Sequence, residues 1–313
     1  MPKYWPGLSG LLLGFLMLWP FAALAESEEQ NLVATPAGTF KAAEEGKTLS
    51  RPGGAVVNSQ GRIIVVDTNE DRIVILDKQG NFSKSFGKKG RRDGQFKEPM
   101  AVAVDRQNRI YVADTGNQRI EAFDPEGQFL FAFGKKGSGP EQFLRPISLA
   151  VSKDNLLYVV DVDNHRVAVY DLEGKLQFTF GGRGTGEGQL QFPLGIAFDS
   201  EGYVYVVNTM NFRIEVFNPR GGFEYNFGEQ GDTEGTFARP KGIAIDGKDR
   251  VYVSDALLNL VQILDRDGNY LGKIGGESET PLFAQPFSVS VDRQGRVYVA
   301  DRGNDQIQVF TVK

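Results

Sequence analysis

Three aspartates in this chain are each followed by an arginine five residues later: Asp67 and Arg72, Asp114 and Arg119, Asp161 and Arg166. A carboxylate beside a guanidinium can position a proton or a substrate anion. It can equally pin a loop through charge-assisted hydrogen bonds. Recurrence decides for the loop staple, because a catalytic residue breaks the symmetry of a repeat rather than obeying it. In one copy the aspartate is Asn208, which keeps the acceptor and drops the charge. Other catalytic chemistries are short of residues. The chain has no cysteine and one histidine, His165, so thiol nucleophiles, disulfides and a histidine-rich zinc site are excluded. His165 fills a position held by Asp71, Gln118 and Phe212 in other copies, which predicts a solvated loop histidine. The run Gly181-Gly182-Arg183-Gly184-Thr185-Gly186-Glu187-Gly188 lacks the Gly-Lys-Ser/Thr ending of a phosphate loop and reads as a flexible connection. No catalytic, metal or cofactor-binding residue is assigned.

The elements that position these residues are set by a repeat. Pro52, Pro99, Pro146, Pro193, Pro240 and Pro286 are spaced 47, 47, 47, 47 and 46 residues apart. Within the second copy, Ala101–Val104, Arg109–Ala113, Arg119–Phe123 and Gln128–Phe133 are four short segments rich in β-branched and aromatic residues. Asp105–Asn108 and Asp124–Gly127 separate two pairs of them as tight turns. The fold class expected is therefore all-β, a six-bladed β-propeller of four-stranded antiparallel blades. The sixth copy ends at Lys313 after three strands. Residues 31–40 stand one period upstream of the strand around Phe82–Phe86 and are expected to supply the missing strand, closing the ring. Pro36 is tolerable there because the strand lies on the outer rim.

The pattern Tyr111-Val112-Ala113-Asp114 with Asn117-Gln118-Arg119-Ile120, varied over Tyr158 to Val167 and Tyr298 to Ile307, resembles the NHL-repeat family across residues 50–313. That resemblance implies the propeller fold and leaves function open, since such propellers include enzymes, RNA-binding modules and ligand sensors. Zinc lyases of this type bind metal through several histidines, which this chain lacks. Calcium-dependent lactonases hold their ion near the axis with acidic and amide side chains. The first strand of each copy should line that axis, and those segments are mostly apolar, as in Gly195-Ile196-Ala197-Phe198.

At the N-terminus, Lys3 precedes the apolar run Leu11–Trp19, and Ala23-Leu24-Ala25 precedes Glu26. This predicts a signal peptide over residues 1–25, export to a periplasmic or extracellular space, and no membrane span in the mature chain. Residues 26–50 form an N-terminal segment carrying the closing strand, and 51–313 the propeller. The formal charge of −5 argues against nucleic acid as partner.

Function is expected where the copies differ. The inter-blade loops and the middle hairpin loops should emerge on one face. Lys88, Lys89, Arg91, Arg92, Lys135, Lys136 and Arg183 make the loops after the first three blades basic. Glu229, Asp232, Glu234, Glu277 and Glu279 make those after the fourth and fifth acidic. Blade five replaces the arginine staple with Leu257-Leu258-Asn259-Leu260. Partner contacts are therefore expected at the seven basic residues, His165, Leu257 and Leu258. The partner expected is a protein, a peptide or an anionic surface polymer, and the chain is expected to be monomeric outside such a complex. The alternative is a metal-dependent hydrolase or lyase with its site at the axis.

Overall fold

The computed structural model describes residues 32–44, 46–276 and 281–313, so the expected signal peptide, Glu277 and Glu279 lie outside the described residues. The repeat folds as six four-stranded antiparallel blades. The innermost strands are Gly54–Val57, Ala101–Val104, Pro146–Val151, Pro193–Phe198, Pro240–Ile245 and Pro286–Val291. Each contacts the next around the axis, and the sixth contacts the first, so the ring is closed. The second strands run Ile63–Asp67, Ile110–Asp114, Leu156–Asp161, Val204–Asn208, Val251–Asp255 and Arg296–Asp301, and in every blade all but the opening residue or two are fully buried. Their β-branched and tyrosine side chains face neighbouring blades on both sides, which is why they read as continuous apolar runs rather than alternating ones. Ile64, Val66 and Ile75 of blade one pack with Val102, Val112 and Phe123 of blade two, for example.

The sixth blade completes itself from the other end of the chain. Ala34–Phe40 pairs antiparallel with Gln306–Val312, from Ala34 opposite Val312 to Phe40 opposite Ile307, with a bulge between Pro36 and Gly38. Phe40 then occupies a place that recurs around the ring. The last phenylalanine of an outer strand covers a turn glycine of the following blade: Phe86 on Gly127, Phe133 on Gly174, Phe180 on Gly221, Phe227 on Gly268, and Phe40 on Gly80. At Gly127, φ is +77° and a Cβ would stand 2.5 Å from the Phe86 ring, so only glycine fits both the turn and the contact.

Each inter-blade loop folds back on itself and drives one side chain between blades. Leu49, Phe96, Phe143, Leu190, Phe237 and Phe283 are these plugs, at most 1% exposed. Short parallel bridges hold Lys89 beside Phe96, Lys136 beside Phe143, Arg183 beside Leu190 and Gln230 beside Phe237.

Candidate functional site at the mouth of the axial channel

The second-strand carboxylates hold the loop face together, as the repeat predicted. Asp114 accepts the Lys97 N–H at 2.7 Å, Asn117 Nδ2 at 2.7 Å and Arg119 Nε at 2.8 Å. Asp67 accepts the Ser50 N–H and Arg72 Nε in the same way. Burial pushes both carboxyls up, and these donors oppose it. Asn208 keeps the loop bond, accepting the Gln191 N–H at 2.7 Å, and its amide donates to the Gln189 carbonyl and to Glu215. The third expected pair is different. Arg166 lies 3.9 Å from Asp161, whose carboxylate accepts Asn164 Nδ2, and Arg166 donates to the Gly139 and Gln142 carbonyls.

His165 is not solvated. It is 8% exposed, in the left-handed conformation, with Nδ1 accepting the Phe192 N–H at 3.2 Å and its ring edge-on to Phe192. The loop of the next blade covers it. Burial first, then Arg183, lower its pKa and keep Nδ1 an acceptor. The position has this role elsewhere: Asp71, Asn259 and Asp305 accept the N–H of Glu98, Gln285 and Arg51. Each of these N–H groups belongs to the residue before a repeat proline, and all four such residues have positive φ.

The seven basic residues are exposed on the loops and make no ion pair among the described residues. Leu257 is 57% exposed. Leu258 is half-buried and lines a separate groove with Asp232, Thr233 and Glu234.

The innermost strands enclose an axial channel of about 280 Å³. On the loop face it opens into a pocket of about 490 Å³. Two columns of the repeat converge there. The residue after each proline is Gly53, Met100, Ile147, Leu194, Lys241 or Phe287, five uncharged and one cationic. The residue after each loop aspartate or asparagine is Thr68, Thr115, Val162, Thr209, Ala256 or Arg302. The three threonines donate to the carbonyls of Pro99, Pro146 and Pro240 and so tie blade to blade. Arg302 makes no such tie. Its guanidinium lies over the Phe287 ring, 4.8 Å from the centroid, and its Nε is buried without a partner. Lys241 and Arg302 form no ion pair with any described residue. Arg51, Arg239 and Leu257 complete the wall beside them, and Arg145 and Glu98 lie across the pocket, Arg145 paired with Asp163 at 2.9 Å. Burial lowers the Lys241 pKa, and Arg239, Arg145 and Arg302 lower it further. Burial, then Arg51, also lowers Arg302. Met100, Ile147, Val162, Phe192, Leu194 and Met210 give the rest of the lining an apolar character, and Met100 Sδ lies 4.0 Å from an Arg302 terminal nitrogen. Five cations thus stand around the opening with two acids, Glu98 and the Asp163 that pairs with Arg145. Reading along the chain misses this set; comparing the same position across copies exposes Lys241 and Arg302.

The channel itself does not suit a resident divalent ion. Lys241 is the one charged side chain among its lining residues, and Ser148, Ser288 and Ser290 are the polar ones. No group of three or more His, Cys, Asp or Glu stands together among the described residues. Calcium takes six to eight oxygen ligands and zinc three or four nitrogen, sulfur or oxygen ligands, and this donor set provides neither.

Residues 53–120 and 93–180 match a family described as a 6-bladed beta-propeller, and residues 283–310 match the NHL repeat. A segment of 54 residues is 48% identical to the brain tumor protein of Drosophila melanogaster, covering 17% of this chain and only 5% of the fly protein. A streptogramin B lyase superposes with a TM-score of 0.64 at 16% identity, over 90% of this chain and 98% of the lyase. A putative gluconolactonase does so with a TM-score of 0.63 at 16% identity, over 91% and 93%. At such identities the likeness is one of fold. Together with the closed ring of six blades, these matches show a six-bladed β-propeller that carries a recognisable NHL repeat at residues 283–310.

Proposed function

We propose that the protein is an exported binding propeller that captures an anionic partner on its inter-blade loop face, at the mouth of the axial channel. One observation carries this reading. The repeat departs from its own pattern at Lys241 and Arg302, and both departures bring an unpaired cation to the same opening. Unpaired charge drawn from water costs stability, and an incoming anion offsets that cost. The rim cations Lys88, Lys89, Arg91, Arg92, Lys135, Lys136 and Arg183 then steer an anionic partner toward the face. Export rests on the apolar run before Ala23-Leu24-Ala25.

Capture of a partner from envelope extract, compared between the parent and a Lys241→Glu, Arg302→Glu double variant, tests the reading. Loss of specific capture in the double variant is expected. A Lys88→Glu, Arg91→Glu variant should bind more weakly at low salt and converge on the parent as salt rises. Equal capture by all three proteins would overturn the assignment of the surface. The alternative of a metal-dependent hydrolase or lyase at the axis has no donor set behind it among the described residues. Stoichiometric metal in the purified protein, with turnover of a lactone or ester panel, would reinstate it.

A further inference from the structure

The mouth pocket is two-sided, and its sides differ in chemistry. One wall carries Lys241 and Arg302, which reach no carboxylate among the described residues. The other carries Phe192, Leu194 and Met210, with Met210 50% exposed and Phe192 39% exposed, while Met100 stands against Arg302, its Sδ 4.0 Å from a terminal nitrogen. A volume of about 490 Å³ lies within the range of small-ligand sites. An inorganic ion would leave the apolar wall wet, and a neutral apolar molecule would leave the cations unpaired. Resting on the surface assignment above, we infer that the pocket binds a carboxylate carried on an apolar body, its head between Lys241 and Arg302 and its body against Phe192, Leu194 and Met210.

Arg302 is built for the head group. A guanidinium presents several N–H donors in one plane, and stacking on Phe287 fixes that plane. One of its N–H groups, at Nε, is buried and unused within the protein. Lys241 adds a point charge from the neighbouring inner strand. The carboxylate could belong to a small organic acid or to the free C-terminus of an apolar peptide. Both present the same head and differ in the body.

The test is calorimetric titration of the full chain with four probes: decanoate, decanol, and a short apolar peptide with either a free or an amidated C-terminus. Lys241→Met and Arg302→Thr are the diagnostic variants. Each installs a residue type that other copies carry in that column, so both should fold, and an unchanged or raised melting temperature confirms it. Decanoate or the free-carboxylate peptide should bind, with decanol or the amidated peptide at least tenfold weaker. Each variant should weaken the charged probe at least tenfold. Whichever of decanoate or free peptide binds more tightly identifies the body. Equal binding of charged and neutral probes, unchanged binding in the two variants, or no binding of either carboxylate at millimolar concentration would overturn the inference. The two readings fail separately. If carboxylates do not bind but the Lys241→Glu, Arg302→Glu protein still loses its partner, the ligand class falls and the surface stands. If partner capture survives, the surface assignment falls.

Discussion

Removing the Phe40 ring tests how the ends of the chain close the propeller. Phe40 is the final residue of the strand supplied by the N-terminus, and its ring covers Gly80 of blade one, so it joins the sixth blade to the first. Deleting a fully buried phenylalanine costs about 3–5 kcal/mol, and Phe40 is half-buried, so Phe40→Ala should cost about 2 kcal/mol. For a domain of this size that lowers the melting temperature by roughly 5 °C. Deleting residues 26–45 goes further. It removes the pairing of Ala34–Phe40 with Gln306–Val312 and the mutual bonds between Val33 and Lys313. Hydrogen bonds contribute about 0.5–1.5 kcal/mol each, so several lost together approach the roughly 5–15 kcal/mol that holds a whole domain folded. The freed edge of Gln306–Val312 would also be open to pairing with another chain. Differential scanning calorimetry with light scattering reads both effects. Expected are a modest shift for Phe40→Ala and loss of the cooperative transition, with aggregation, for the deletion. A deletion protein that melts cooperatively at the parent temperature would refute closure by this strand.

Three other perturbations have defined signs. Glu121 is fully buried, and burial outweighs the attraction of Arg119 and raises its pKa to about 7; the folded state therefore holds its proton where the unfolded state has lost it, and stability should fall by on the order of 2 kcal/mol as pH rises from about 4.5 to about 7. Glu121→Gln, the residue at the same position in Gln262 and Gln308, should flatten that slope in urea titrations at several pH values, and an unchanged slope would exclude Glu121 as its source. Lys241 has the opposite sign, since its lowered pKa makes the folded state hold fewer protons than the unfolded state, so stability rises with pH up to about 10.4. Lys241→Met should raise the melting temperature at pH 7, with a gain that shrinks toward alkaline pH; a constant gain would show that charge burial is not its cause. Asp114→Asn should behave like Asn208 and cost about 1 kcal/mol, whereas Asp114→Ala strands the Lys97 N–H and Arg119 and should cost about 3–5 kcal/mol by denaturant unfolding. Equal costs for the two would mean that the loop bond is not what Asp114 supplies.

How much of this was legible depended on the direction of reading. The period fixed the blades, because every copy must bury the same two faces. It also placed the closing strand, since Phe40 stands 46 residues before Phe86, as Phe133 stands 47 after it. Loop residues were harder. His165 looked solvated because other copies fill its loop position with Asp71, Gln118 and Phe212, but the connection to the next blade lies over it and leaves the Phe192 N–H for it to cap. The Asp161–Arg166 pair is looser, 3.9 Å against 2.8 Å for Asp114 and Arg119, and the asparagine between them does not explain it, since Asn117 bonds Asp114 as Asn164 bonds Asp161. The candidate site was missed because reading along the chain rewards runs, such as Lys88 to Arg92, and these lie on the rim. Lys241 and Arg302 are single departures 61 residues apart in sequence, and only the convergence of equivalent positions at the axis unites them.

That convergence is why a symmetric repeat can hold an asymmetric site at modest cost. Positions on the outer strands diverge, so changing one alters one blade. Positions after the repeat prolines point to a common opening, so changing one alters a space shared by six blades. The departures there run against stability in ways the other copies make explicit. Where Thr68, Thr115 and Thr209 each tie into the next blade, Arg302 gives up the bond. Where Met100, Ile147 and Leu194 bury apolar surface, Lys241 buries charge. Arg302 gains only the Phe287 ring and Met100 Sδ in exchange, and neither cation reaches a carboxylate among the described residues. Local rules broken together at one opening mark a functional site rather than a packing solution. The consequence is a trade-off: substitutions that return Lys241 and Arg302 to the residue types of the other copies should stabilise the fold and weaken binding together. A variant that gained stability and kept full affinity for the carboxylate would show the two departures to be incidental.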